Sequence, residues 1–326
     1  MTNKKKFLQR FSKDYNLPIN VFDEEMFEYY IDLYKDFFPI NEYESAINDI
    51  ETNFDGNVEL WLDHYAKIRD NIIETVMSSD EYKHFNEINL TTYKINSICG
   101  ERSCYTEETD GKNFISIDLK KANFQALKYM KVLDDESYEK FIKRFGGDDY
   151  MANSKYLRQV IFGKMNPSRQ ITIEKYIMSL VYDAVCNKLK HSGFEIYSMN
   201  SDELVFYETE KAIKHRAMNS YNDFKCSMKN LLNEIKMIID KYLGFETTIE
   251  YFTIERLRIV NSNGNKVDAY VKENYITGES KLKKASTTFF PQIYKLWHML
   301  PINEKDKIFF FENQLATFNE SLMMEE

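Results

Sequence analysis

Gly193–Tyr207 reads G-F-E-I-Y-S-M-N-S-D-E-L-V-F-Y. Two apolar runs, Phe194–Met199 and Leu204–Tyr207, meet at Asn200-Ser201-Asp202-Glu203, which is the pattern of a β-hairpin with a carboxylate pair at or beside its tip. The flanking residues are mostly β-branched or aromatic, so a rigid, partly buried element carries the acids. A second carboxylate, Asp118, ends the apolar run Asn113–Ile117 (N-F-I-S-I) and opens a helix-like segment. Two strand-end carboxylate sites with amphipathic helices between and after them form an acidic frame suited to two-metal phosphoryl transfer.

Outward from the hairpin, the order is a strand over 113–118, helices near 120–131, 136–145 and 168–191, the hairpin, a helix over 210–243 and a strand over 246–252. Gly244 suits the residue just past that last helix. Reduced to essentials this is β-α-β-β-α-β, the split βαβ arrangement. It predicts an α+β fold: one antiparallel sheet with helices on a single face, the acids lying on the open face.

Residues 1–90 read as a helical region. Asp23 caps a helix over 24–37 that Pro39 ends, a second covers 42–53, and a third runs from 58 to 77 with Trp61, Tyr65, Ile68 and Ile72 on one face. Alternation over Thr92–Ile98 predicts a strand, a turn and a second strand before the Asp110-Gly111 turn. Residues 91–252 form the central unit, with an insertion over 131–190. Residues 253–326 comprise a hairpin around Asn261–Asn265 and a tail of two amphipathic helices separated by Pro301.

With 326 residues, 43% hydrophobic and 15% aromatic, the chain buries a sizeable core. The formal charge is −9, unlike a protein whose whole surface binds nucleic acid, although a basic groove can sit on an acidic body. Basic residues gather in 155–175, 211–216 and 281–284. Cys99, Cys104, Cys186 and Cys226 make no C-x-x-C pair, so neither a zinc site nor a disulfide framework is expected. No apolar segment approaches 18 residues and the start lacks a secretory pattern, so a cytoplasmic protein with no membrane partner is expected. Heavy use of Lys, Asn, Ile, Phe and Tyr fits an AT-rich genome and hints at a viral or phage-like source.

Asp118-Leu119-Lys120-Lys121-Ala122-Asn123-Phe124 resembles motif A of right-handed-palm polymerases, most closely the reverse-transcriptase form D-x-x-x-A-[YF]-F. Ser201-Asp202-Glu203-Leu204-Val205-Phe206 resembles motif C of family A DNA polymerases, and Arg158–Lys164 is similar to their fingers helix and to that of single-subunit RNA polymerases. The resemblance covers about residues 110–252. Ser201 stands where family A has His, and Asn166-Pro167 stand where it has Tyr-Gly.

The resemblance implies a polymerase-like palm in which Asp118 and Asp202 hold Mg²⁺ or Mn²⁺ and Glu203 is a nearby, weaker ligand. Arg158, Lys164 and Arg169 would face the nucleotide triphosphate, and Lys155, Lys281, Lys283 and Lys284 the phosphates of a primer/template. Asn123 occupies the position that checks the sugar, so tolerance of ribonucleotides (NTPs) is implied. The small fingers region leaves room for a protein partner subunit. Two other readings stand beside it: a degenerate palm that binds nucleic acid or a replication partner without turnover, and a helical protein–protein adaptor.

Overall fold

Alternation along Asn113–Leu119 (β1) sends Ile115, Ile117 and Leu119 to one face and Phe114, Ser116 and Asp118 to the other. The computed structural model describes residues 3–95, 99–218, 220–312 and 314–325. Among the described residues five α-helices precede β1: α1 (Asn3–Asp14), α2 (Glu24–Leu33), α3 (Ile40–Asn53), α4 (Val58–Ser78) and α5 (Asp80–Glu87). Between β1 and the hairpin come α6 (Ala122–Tyr129), α7 (Tyr138–Arg144), α8 (Asp149–Asn153), α9 (Lys155–Gly163) and the long α10 (Pro167–His191). The hairpin is β2 (Phe194–Met199) and β3 (Glu203–Glu208), followed by α11 (Glu210–Ala217), α12 (Tyr221–Ile238) and β4 (Thr247–Arg256). The remainder is β5 (Ile259–Val260), β6 (Lys266–Val267), β7 (Tyr270–Asn274), β8 (Ser280–Lys283), α13 (Phe290–Trp297), β9 (Ile308–Phe311), β10 (Gln314–Thr317) and β11 (Met323–Met324).

The main sheet has the order β2-β3-β1-β4-β7-β8 with every neighbouring pair antiparallel. Its first four strands are the expected split βαβ unit, with β1 central between β3 and β4. Residues opposite one another across strands share a face, so the register fixes the site: Asp118 lies opposite Glu203 on one side and Thr248 on the other. Ile115, Ile117, Leu204, Phe206 and Tyr251 turn the other way and join one continuous core with α6, α10 and α12. That core runs on without a break into the N-terminal helices.

The face expected to be open is roofed over its apolar half. Phe114, Val205, Phe252, Ile254 and Tyr270 pack there with Cys104. Arg102 N–H donates to Ser198 Oγ (2.8 Å), and the Tyr197 hydroxyl donates to the Ser103 carbonyl (3.2 Å). This roof is irregular backbone from 99 onward, not the expected pair of strands; residues 90–92 form a 3₁₀ turn, and 96–98 lie outside the described residues. The helix expected over 210–243 is divided, because Ser220 accepts from the Asp223 N–H and caps a new helix, α12. After Pro301 the tail forms strands rather than a second helix: Ile308-Phe309-Phe310-Phe311 pairs with Gln314–Thr317, as aromatic side chains favour extended backbone.

Two buried polar knots hold the helices. Asp14, wholly buried at the end of α1, accepts from Arg10 Nε (2.9 Å) and from the hydroxyls of Tyr65 (3.1 Å), Tyr150 (2.8 Å) and Ser154 (2.7 Å). Ser154 also caps α9, so α1, α4, α8 and α9 converge on one carboxylate. Asp306, equally buried, pairs with Lys295 Nζ (2.9 Å) and accepts from the Tyr29 hydroxyl, tying the C-terminal segment to α2.

A candidate acidic centre on the sheet

Asn200 builds the tip of the hairpin. Its side-chain oxygen accepts from the backbone N–H of Asp202 (3.1 Å) and of Glu203 (2.6 Å), an Asx turn that fixes both acids. The Leu119 N–H then donates to the Asp202 carbonyl at 2.7 Å, stitching the end of β1 to the tip. Asp118, Asp202 and Glu203, which the sequence singled out, are brought together and half-buried.

Their electrostatics follow from that crowding. Burial, then repulsion from Asp202, raises the Asp118 carboxyl above its ordinary value, with Lys272 and Lys155 opposing. Burial and the Asp118 charge push Glu203 up to about 7. Two further acids join from elements that sequence reasoning did not connect. Glu174, on α10, is buried and pushed up to about 7 by desolvation and then by Asp202. Glu250, on β4, shares the Asp118 face through its pairing with Ser116. Burial raises it, but the ion pair with Lys272, together with Asn274 and Lys281, outweighs burial and holds it below its ordinary value.

Cations flank the acids along β7 and β8. Lys272 lies opposite Lys281, and Lys283 sits opposite Tyr270 on the same face. Burial, followed by repulsion from Lys272 and Lys281, lowers the Lys283 ammonium below its ordinary value. From α9, Lys155 and Arg158 lie within electrostatic reach of Asp118. Burial lowers the Arg158 guanidinium, against the pull of Tyr138 and Asp118.

Other candidates are engaged elsewhere. Arg169 donates to the carbonyls of Phe85 (2.6 Å) and Ile88 (2.5 Å) with its guanidinium over the Phe85 ring, which fastens α5 to α10. Lys164 is exposed at the C-terminal end of α9. Lys284 pairs with Asp268 (3.2 Å) and Lys281 with Glu279 (2.9 Å). The Asn123 side chain accepts from the Phe124 N–H (3.0 Å) at the start of α6.

The missed residues left traces in the sequence. Glu174 interrupts the apolar stripe Ile173, Ile177, Met178, Val181, and Glu250 alternates with Ile249 and Tyr251. Among the described residues, no group of three or more His, Cys, Asp and Glu is arranged to hold a metal ion alone. Mg²⁺ commonly takes one or two carboxylates and completes its shell with substrate phosphates and water, and a crowded pair such as Asp118 and Asp202 fits that role.

Glu174 yields a pH prediction. Its ordinary value is 4.5 and its folded value about 7, so the folded protein binds this proton more tightly than the unfolded chain. That stabilisation is complete below 4.5 and is lost as pH rises through about 7. Glu174→Gln is expected to gain ~2–3 kcal/mol on wild type between about pH 5 and pH 8.5 in metal-free buffer, read by urea unfolding. Parallel stability profiles for the two proteins would refute this. Among the described residues no helix is long and apolar enough to cross a membrane. Searches of protein families, curated proteins and solved structures return no match to this chain.

Proposed function

We propose that the acidic centre is a polymerase-type nucleotidyl-transfer site that extends a nucleic-acid 3′ end, within a palm-like sheet. The observation that carries this reading is the register that sets Asp118 opposite Glu203 with Asp202 stitched to the end of β1. Three half-buried acids held at mutual cost make a preorganised cation site. Asp118 and Asp202 are the residues that would hold Mg²⁺ or Mn²⁺, with Glu203 beside them. When bound, the metal supplies Lewis-acid stabilisation of the phosphoryl group and a lowered pKa for the attacking hydroxyl.

The chain's own residues then divide the remaining work. Asp118, Asp202 and Glu203 set where positive charge, and so the polyphosphate, is placed. Lys155 and Arg158 approach Asp118 from α9, the side that resembles fingers, and offset charge developing on the phosphates. Lys283 flanks the acids from the opposite edge and suits a nucleic-acid backbone, which it binds without reading sequence. Half-burial on the sheet limits water at the reacting phosphorus.

One observation favours a second reading, nucleic-acid binding without turnover. Lys272 is already paired to Glu250 and damps the charge of Asp118 and Glu203, so the cluster is partly neutralised from within. Extension of a labelled primer, with and without template, with NTPs or dNTPs and Mg²⁺ or Mn²⁺, separates the two. Metal-dependent extension that Asp202→Ala abolishes is the expected result. No extension under any combination, with retained nucleic-acid binding, would establish the second reading.

A further inference from the structure

Between α1 with its following loop and α9 lies a cavity of about 220 Å³. None of its lining side chains is a carboxylate, although the chain has 52 Asp and Glu. Two lysines line it, Lys13 and Lys155, and neither has an ion-pair partner among the described residues. The one carboxylate next to Lys13 in sequence, Asp14, is consumed by Arg10 and three hydroxyls.

The position of Lys155 is energetically odd. It is the first residue of α9, where the helix dipole is positive and its own charge is disfavoured, and no acid occupies that first turn. An anion in the cavity would relieve both charges. Ser12 adds a second polar group at the cavity wall. It is 4% exposed, lines the same cavity, and its Oγ has no hydrogen-bond partner among the described residues. Asn16 and Gln159 add side-chain amides, and the rings of Phe22 and Tyr156 add planar apolar surface.

We propose that this cavity binds a single unpaired nucleotide, its phosphate on Lys13 and Lys155 and its base against Tyr156 and Phe22. The choice of a nucleotide among planar anions rests on the nucleotidyl-transfer reading above. The volume lies below the roughly 300–1,000 Å³ usual for small-molecule sites, so the cavity takes no more than one unit and excludes a duplex. Sequence-tolerant stacking on aromatic rings beside a basic groove is the usual chemistry of single-strand binding. Lys155 faces both the cavity and Asp118, so the N-terminal helices would deliver a strand to the acidic centre.

The test is fluorescence anisotropy in EDTA with a labelled 12-residue oligouridylate, and with free UTP as competitor. Wild type is expected to bind and Lys13→Glu, at an exposed position, to weaken binding at least ~5-fold. Gln159→Arg, also exposed, is expected to tighten it. Competition by UTP would identify a free nucleotide as the occupant, and its failure to compete a nucleotide within a strand. Absence of binding by wild type, or equal binding by wild type and both variants, overturns the proposal. Primer extension by wild type keeps the failures apart: if wild type does not extend a primer but its binding remains sensitive to Lys13→Glu, the cavity stands and the transferase reading falls.

Discussion

Asp14→Ala is expected to destabilise the fold by about 3–5 kcal/mol, read as a drop in urea midpoint at unchanged slope. The carboxylate is wholly buried and accepts four hydrogen bonds from Arg10, Tyr65, Tyr150 and Ser154. Removing it strands a guanidinium stacked 3.9 Å from the Tyr65 ring and takes the acceptor from three hydroxyls, of which Tyr65 retains Ser154 as a partner. Asp14→Asn retains an acceptor but no charge and should fall between wild type and alanine. The damage reaches the acidic centre through Ser154, the cap that sets the first turn of α9 and hence Lys155 and Arg158. A loss below ~1 kcal/mol for Asp14→Ala would show that the knot contributes little.

Asp118→Asn carries the opposite sign in stability and the largest effect on activity. Extension is expected to fall on the order of 10³-fold, because the amide cannot hold a divalent cation as the carboxylate does. Stability at pH 8 in metal-free buffer should rise by ~1 kcal/mol, since a charge crowded by Asp202 and Glu203 is gone. Burial is the main cause of the Glu203 elevation and Asp118 the largest charged one, so in the variant Glu203 should titrate lower than in wild type while staying above its ordinary value. Carboxyl-carbon NMR titration reads that directly. An Asp118→Asn protein that extends primers as well as wild type would remove Asp118 from the chemistry.

The hairpin and β1 were legible because their alternation is strong and their acids fall at strand ends. The Asn200 turn explains why Asp202 and Glu203 point as they do, and its signal lay in the quoted stretch. The split βαβ order followed from counting elements. What stayed hidden was convergence from distant elements. Nothing local marks Glu174 as facing Asp202, or Lys272 as the partner of Glu250, since both meetings depend on how α10 and β7 pack. Arg169 and Lys284 show the converse. A basic residue near a motif reads as a phosphate ligand until backbone carbonyls or an aspartate are found to occupy it. In the tail, a run of three phenylalanines satisfied a helical pattern and a strand pattern alike, and pairing with Gln314–Thr317 decided it.

The knot at Asp306 bears on the order in which the chain matures on the ribosome. Tyr29 is bonded to a residue made 277 positions after it. At synthesis rates of ~5–20 residues per second, that interval is roughly 14–55 s. Over that period α2 lacks the Tyr29–Asp306 bond, and Tyr34 just past its end lacks the edge-on ring of Tyr294, 5.3 Å away in the finished protein. α2 therefore settles only after the segment around Asp306 is made, whereas α1 can close its knot once Ser154 has emerged, and during that interval the rings of α2 are open to chaperones.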